Sequence, residues 1–236
     1  MLHDASRDAF SLKEAAVLSG LAEDKVRREI EHKVIEPPAV PAGAARRLIF
    51  REPEILYLAL INAVSETVEL TRPARMAVYR ILCDSAPYQP GGSATYDAGT
   101  IGLRESIGGS PLLPGNDAQR EWARSIERAW TTAVNPYLIV DWKRIMDDIA
   151  PRMALYRNGR SRIERDDAVL GGEPVFAGTR LAVRHVGGMR LKGEPAARIV
   201  EDYPYLTPDD VEFAALFAAA NPPVGRPRSA AGTTPK

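Results

Sequence analysis

The sequence predicts a mainly α-helical protein. Residues typical of helix N-termini stand directly before segments whose apolar residues recur at helical spacing, as at Ser11–Glu14 and Thr207–Asp210. The strand-like segments are short and are bounded by glycine and proline. At 236 residues, the chain is long enough for one large domain or two smaller ones.

The composition excludes several classes of protein. Lys and Arg together number 31, as do Asp and Glu, which excludes a polybasic coat protein or an acidic disordered protein as the whole molecule. Cys83 is the single cysteine, so a disulfide-stapled secreted scaffold is excluded and a reducing compartment is expected. Because no histidine stands near it in sequence, we expect Cys83 to be a buried small apolar residue.

We expect no enzyme, cofactor or metal site. The three histidines lie far apart and, with one cysteine, give no spacing of zinc ligands. No pair of nucleophile and base and no cofactor fingerprint is present, so no catalytic residue is assigned. The longest apolar stretch, Ile55–Val64, is about half of the ~20 residues that a membrane span needs. Residues 1–10 lack the apolar core of a signal peptide, so the sequence predicts a cytoplasmic protein without membrane contact.

A helix-turn-helix unit is predicted near the N-terminus. Ser11 and Glu14 have the spacing of a capping box, which opens a first helix at Leu12–Ser19. Gly20 then permits the left-handed backbone that ends a helix, and a second helix follows from about Glu23. Two helices joined by a turn that contains glycine are typical of DNA-reading units.

The cations of this unit lie where DNA would be contacted. In such units the second helix enters the major groove, and a following wing contacts phosphate. A proline-containing loop at residues 37–43 is predicted to lead into a short strand at Arg46–Arg51, which returns from the wing. The candidate DNA-binding residues are Lys25, Arg27, Arg28 and Lys33 on the second helix and at its end, and Arg46, Arg47 and Arg51 in the wing.

With Glu52-Pro53-Glu54 opening another helix, residues 10–63 resemble the winged helix-turn-helix of the MerR-like regulators. The resemblance implies a DNA-binding domain, assigned to residues 8–83, that acts as a dimer on half-sites about one turn (~34 Å) or a multiple apart. Residues 1–60 hold nine Lys/Arg and ten Asp/Glu, so the acids at positions 23, 24, 29 and 31 would have to lie away from phosphate. The alternative is a small helical subdomain with solvated charges and no DNA.

The region at 84–160 is predicted to be a linker or a dimerisation region, helical with a short β-hairpin. Residues 84–116 are rich in Gly, Pro and Ser and are expected to form loops. Tyr137–Val140 is expected to be a strand, paired with Thr100–Leu103. Helices are expected before this loop-rich stretch, at Glu52–Ser65 and Pro73–Asp84, and after it, at Asp117–Val134 and from Asp141 to about Tyr156.

The C-terminal segment, residues 161–220, is predicted to be a hairpin followed by three helices. Apolar runs on both sides of Ala177-Gly178-Thr179 favour a tight β-hairpin, with Gly178 at positive φ. Helices are expected from about Val183 to Lys192 and from Pro195 to about Tyr203. Thr207 is expected to cap the last helix, with Pro208 in its first turn.

This segment resembles the domain-of-unknown-function family four hundred thirty-three. The resemblance is carried by the hairpin Gly171–Arg180 and by the acidic-Asp-Tyr-Pro-x-Leu-Thr turn at Glu201–Thr207. It implies a homeodomain-like trihelical module of the kind found in antitoxins that act beside PIN-like ribonuclease toxins. Gly187 and Gly188 depart from the helix formers expected there, at a cost of about 1 kcal/mol each.

Charge divides the C-terminal half. Residues 152–192 carry nine Lys/Arg against four acids, whereas residues 194–220 carry six acids against one Arg. Acids on the helices disfavour phosphate, so a protein partner fits this module better than DNA, which stays an alternative. The tail at residues 221–236 has three cations and no acid and is predicted to be disordered when alone. The candidate toxin-binding residues are Arg180, Arg184, Arg226 and Arg228. The resemblance implies a nuclease site built from carboxylates, with which a guanidinium of the tail would pair bidentately; the alternative for the tail is a solvated end with no role.

A MerR-like front joined to such a module resembles the longer VapB-type antitoxins. The resemblance implies a protein that neutralises a PIN-like ribonuclease toxin and represses its own operon, as a homodimer or a toxin–antitoxin hetero-oligomer. The alternative is a MerR-like transcriptional regulator whose C-terminal part senses a ligand or a protein.

Overall fold

The computed structural model describes residues 9–42, 45–65, 68–84 and 142–222. These residues form eight α-helices, one short 3₁₀ helix and two small two-stranded sheets. The predicted mainly α class is therefore confirmed. The helix predicted at residues 117–134, the strands predicted at 100–103 and 137–140, and the tail from residue 223 lie outside the described residues.

The N-terminal part follows the predicted order of helix, turn, helix and hairpin. Its elements are α1 (Leu12–Ser19), α2 (Glu23–Glu31), β1 (Ala39–Ala42), β2 (Ala45–Leu48), α3 (Glu52–Val64) and α4 (Arg72–Asp84). Ser11 caps α1 in a complete capping box with Glu14, and Gly20 ends the helix with φ 73°. Local chemistry therefore determines where α1 begins and ends.

The wing differs from the prediction in its strands. Pro41, expected in a loop, lies in β1 opposite Arg46, and β2 ends at Leu48 rather than at Arg51. A proline is tolerated there because each strand of a two-stranded sheet has one free edge that needs no donor. Beyond the hairpin, Phe50 pairs instead with Phe10, through reciprocal backbone bonds of 2.8 and 2.9 Å.

The C-terminal part begins with a long helix, α5 (Trp142–Ser161), which extends about a turn beyond the predicted end. It is followed by β3 (Ile163–Glu164), the 3₁₀ helix (Leu170–Gly172), β4 (Val175–Phe176), α6 (Val183–Leu191), α7 (Ala196–Asp202) and α8 (Pro208–Ala220). The three final helices and the capping box of Thr207 with Asp210 stand where they were predicted.

The predicted hairpin of Gly171–Val183 is only partly correct. Gly178 has φ 72°, and one bridge joins Val175 to Ala182 across the turn. The strand partner of β4 is β3, with Ile163 opposite Phe176. The physical reason is that α6 starts at Val183, directly after the turn, so the chain leaves the sheet before a second strand can form.

One hydrophobic core joins both parts of the chain. On α5, the ring of Tyr156 lies 6.2 Å from that of Phe10 and 5.5 Å from that of Phe213. Gly159 allows α5 to approach α8, because a methyl group at this position would overlap the ring of Phe213. Helix α5, part of the region predicted to be a linker, thus packs against the N-terminal helices on one side and α8 on the other.

Cys83, which we expected to be buried, is exposed in the last turn of α4. The apolar face of that helix carries Ala74, Val78 and Leu82 instead. Within the described residues, no helix combines the length and the apolarity that crossing a bilayer requires.

Candidate nucleic-acid interface

Helix α2 has one buried face and one exposed basic face. Val26 is buried and Ile30, four residues later, is partly buried, so this side of the helix faces the core. Lys25, Arg27 and Arg28 are exposed on the remaining surface. The structure thus places three of the predicted DNA-binding residues together, on the solvent side of one helix.

Two acids accompany these cations. Arg27 pairs with Glu23 at 2.6 Å and Arg28 with Asp24 at 3.6 Å, both one helical turn apart. The side chains of Arg27 and Arg28 remain 57% and 64% exposed. Exposed pairs of this kind contribute little to stability, about 0.3–0.5 kcal/mol, so a phosphate or a base can replace the carboxylate at small cost.

The end of α2 is shaped by its last turn. The backbone carbonyl of Glu29 accepts a hydrogen bond from the backbone amide of Val34 at 2.9 Å. Lys33 has φ 52°, a left-handed backbone conformation that residues other than glycine rarely adopt. Lys33 is exposed, so its ammonium is on the surface just beyond the helix. The predicted cation therefore lies at the C-terminal end of α2 rather than on its face.

Two of the three predicted wing cations, Arg46 and Arg47, lie in the hairpin, whereas Arg51 lies between the hairpin and α3. Arg47 on β2 is 56% exposed and lies 3.8 Å from the carboxylate of Glu14, which links the wing to α1. Its neighbour Arg46 stands opposite Pro41 in the register of the two strands. Arg51 is exposed immediately before α3, and its backbone amide donates to Glu54 at 2.8 Å.

A buried polar cluster that was not predicted from the sequence lies behind α2. Glu29, expected only to lie away from phosphate, is 4% exposed and accepts from the hydroxyl of Tyr57 at 2.6 Å. Its other oxygen pairs with Arg75 of α4. Burial raises the pKa of Tyr57 well above its ordinary value, and the bond to Glu29 raises it further. The available sequence signal is an acid spaced three residues from Val26, on the inward face of α2.

Among the candidate toxin-binding residues, Arg180 and Arg184 differ in exposure. Arg180 is exposed before α6. Arg184 is partly buried and makes internal contacts, to Glu173 at 3.2 Å and to the backbone oxygen of Asn221 at 3.1 Å. The remaining two, Arg226 and Arg228, lie outside the described residues.

A groove of about 680 Å³ runs between α5 and α8. Acids line it together with apolar side chains, among them Leu155, Leu191, Leu216, Asp148, Asp209 and Glu212. Leu191, from α6, is 58% exposed at this groove. Among the described residues, those of this groove included, no three His, Cys, Asp or Glu side chains are grouped so that they could hold a metal ion.

A known family matches the C-terminal part of the chain. Residues 163–218 match the family described as "Protein of unknown function (DUF433)". The chain is also similar to "Uncharacterized protein y4eO" of Sinorhizobium fredii, with 29% identity over 107 residues, which are 45% of this chain and 48% of that protein. The chain thus spans about half the length of this curated relative. No solved structure matches the chain.

Proposed function

We propose that this protein is an antitoxin that binds operator DNA through α2 and the β1–β2 hairpin and holds a ribonuclease toxin through its C-terminal module. The proposal rests on the resemblances to MerR-like regulators and VapB-type antitoxins in the sequence. One structural observation carries the DNA-binding part: Lys25, Arg27 and Arg28 are all exposed on a helix whose inward face, with Val26, is buried.

The arrangement of α1, α2 and the hairpin supports DNA binding. A helix that follows a short glycine turn presents its exposed face to the major groove in many DNA-binding proteins. Arg27 and Arg28 have the reach and planar donors for guanine, while Arg47 on the hairpin and Lys33 at the helix end suit phosphate. The buried Glu29 removes one of the acids that would repel the DNA backbone.

The C-terminal module supports a protein partner. Its last two helices are acidic, with six acids and one Arg over residues 194–220, which disfavours nucleic acid there. The groove between α5 and α8 offers a partner apolar side chains, and the acids Asp148 and Glu212 that line it pair with Arg152 and Arg190. The expected partner is a PIN-like ribonuclease, by the resemblance of this segment to antitoxin modules.

DNA binding is tested with a fragment from upstream of the protein's own gene. Replacing Arg27 or Arg28 by Ala should weaken binding by roughly five- to a hundredfold, the equivalent of the ~1–3 kcal/mol that a bidentate base contact contributes. Arg198→Ala is the matched control, since Arg198 is an exposed arginine that pairs with Glu201 on α7, as Arg27 does with Glu23 on α2. If all three substitutions weakened DNA binding equally, base recognition by α2 would be contradicted.

Toxin binding is tested by co-expression with the product of the neighbouring gene. We expect a stable complex, and loss of ribonuclease activity in it. Leu191→Glu should weaken this complex if the groove forms part of the interface, whereas Lys13→Glu on the exposed side of α1 should not. A neighbour that is no nuclease, or that stays separate on gel filtration, would contradict the antitoxin function.

The second candidate is a MerR-like transcriptional regulator with a C-terminal ligand- or protein-sensing part. It is favoured by the contacts of α4 with the end of α2, because α4 leads directly into residues 85–141. Operator binding without any toxin complex would distinguish this regulator from an antitoxin.

A further inference from the structure

Two arginines of α4 reach the same end of helix α2. Arg72 donates from Nε to the backbone oxygen of His32 at 2.7 Å, directly after the last residue of the helix. Arg75, one turn further along α4, pairs with the carboxylate of Glu29. One arginine thus binds the backbone at the end of α2, and the other binds a side chain in its last turn.

The buried side chain of Glu29 holds the last turn of α2 against α4. Its side chain is 6% exposed and lies between the hydroxyl of Tyr57 and the guanidinium of Arg75. A buried carboxylate separated from its cation is strongly disfavoured, so the two groups stay together when either helix shifts. Moving the N-terminal half of α4 would therefore move the last turn of α2, or break a buried pair.

Helix α4 also has an anchor that does not involve α2. The hydroxyl of Tyr79 donates to Glu54 of α3 at 2.7 Å, and the ring of Tyr79 packs edge-on against Tyr57 at 5.5 Å. Removing the Tyr79 hydroxyl removes one hydrogen bond between α4 and α3, and it leaves the ring packing that positions α4 and both arginine contacts in place. This provides a control of similar chemistry on the same helix.

Helix α4 thus contacts the end of α2 at two polar points, one through Arg72 and one through Arg75.

We infer that Arg72 and Arg75 are positioning residues that couple the DNA affinity of α2 to the position of α4. The inference rests on the proposed DNA-binding function. Neither arginine needs to touch DNA, because both act through the end of α2.

The test compares Arg72→Ala, Arg75→Gln, Arg75→Lys and Tyr79→Phe in the full chain, with the gene's own upstream DNA as the probe. We expect Arg72→Ala and Arg75→Gln to weaken operator binding by about fivefold or more, within the range of typical coupling between sites. Arg75→Lys keeps the charge beside Glu29 and should restore most of the affinity. Tyr79→Phe should lower the melting temperature yet leave operator affinity unchanged.

Amide hydrogen exchange supplies a readout that does not depend on DNA. Exchange at residues 29–34 should accelerate in Arg72→Ala and Arg75→Gln, and stay as in the wild type in Tyr79→Phe. Because Arg72 is exposed, its replacement leaves the core intact and keeps the test valid if Arg75→Gln does not fold.

Two results would overturn the inference. One is wild-type affinity in a folded Arg72→Ala protein with unchanged exchange, and the other is an equal loss of affinity in Tyr79→Phe. A wild-type protein that binds no DNA would overturn the proposed function, and the exchange data would still report whether α4 controls the end of α2.

Discussion

The hydroxyl of Tyr156 donates to the carboxylate of Glu14 at 2.8 Å, across 142 positions of the chain. The other oxygen of Glu14 accepts from the backbone amide of Ser11 at 2.6 Å, which completes the cap of α1. A single buried carboxylate therefore both begins a helix of the N-terminal unit and attaches that unit to α5.

The same double use recurs at two other helix starts. Glu54 accepts from the amide of Arg51 with one oxygen and from Tyr79 of α4 with the other. Asp210 accepts from the amide of Thr207 and pairs through its second oxygen with Arg162 at 2.8 Å. In each case the third residue of the helix has a local partner and a distant one.

Tyr156→Phe should destabilise the protein by about 2 kcal/mol, because hydrogen bonds to charged groups contribute about 1.5–3 kcal/mol and Glu14 would stay buried. Urea unfolding followed by circular dichroism measures the effect. Tyr205→Phe is the control, since Tyr205 is 53% exposed, and it should change stability by less than about 0.5 kcal/mol. Equal stability of the two variants would show that the bond to Glu14 contributes nothing.

Stability should fall when the pH rises above about 10, the ordinary pKa of a phenol. Burial, reinforced by neighbouring glutamates, raises the pKa of Tyr57, Tyr79 and Tyr156 far above that value. Below pH 10 all three are neutral in both states and cause no pH dependence. Above it the unfolded phenols lose protons that the folded protein retains, so unfolding is favoured.

Ultraviolet absorbance of tyrosinate, recorded beside circular dichroism, tests this pH dependence. Part of the tyrosinate signal should appear only together with unfolding. Tyr57→Phe and Tyr156→Phe should each reduce that late part. Full ionisation of the tyrosines while the fold persists would contradict the shifted pKa values.

Two neighbouring glycines of α6 should respond in opposite ways to alanine. A methyl group at Gly187 would overlap the backbone oxygen of Ala214 on α8, so Gly187→Ala should destabilise by about 1–3 kcal/mol. A methyl group at Gly188 meets nothing within 4 Å, so Gly188→Ala should stabilise by up to about 1 kcal/mol through helix propensity. Thermal melts of both variants measure the two effects on stability. If both variants were destabilised, the packing argument that distinguishes Gly187 from Gly188 would be wrong.

Salt dependence should separate the two kinds of cation at the proposed DNA interface. Arg47→Ala should reduce the slope of log affinity against log salt by about 1 and weaken all sequences alike, because a wing cation binds phosphate. Arg27→Ala should instead reduce discrimination between operator and unrelated DNA. Fluorescence anisotropy over a salt series measures both quantities, and an unchanged slope in Arg47→Ala would exclude phosphate contact at that residue.

Helix ends could be read from the sequence because their chemistry is local. Ser11 with Glu14, Gly20, and Thr207 with Asp210 make their hydrogen bonds or turns within a few residues, so spacing alone indicated them. The exposed cations of α2 were predicted on the same basis, since Val26 and Ile30 define the inward face.

The tertiary structure decided everything that joins distant residues. It determined that Tyr156 and Tyr79 use the second oxygens of Glu14 and Glu54, and that β4 pairs with β3 rather than across its own turn. It also explains why position 187 is a glycine, because the backbone of α8 lies where a side chain would be. Spacing in the sequence specifies which groups meet within one helical turn, whereas contacts across a hundred residues depend on how the whole chain packs.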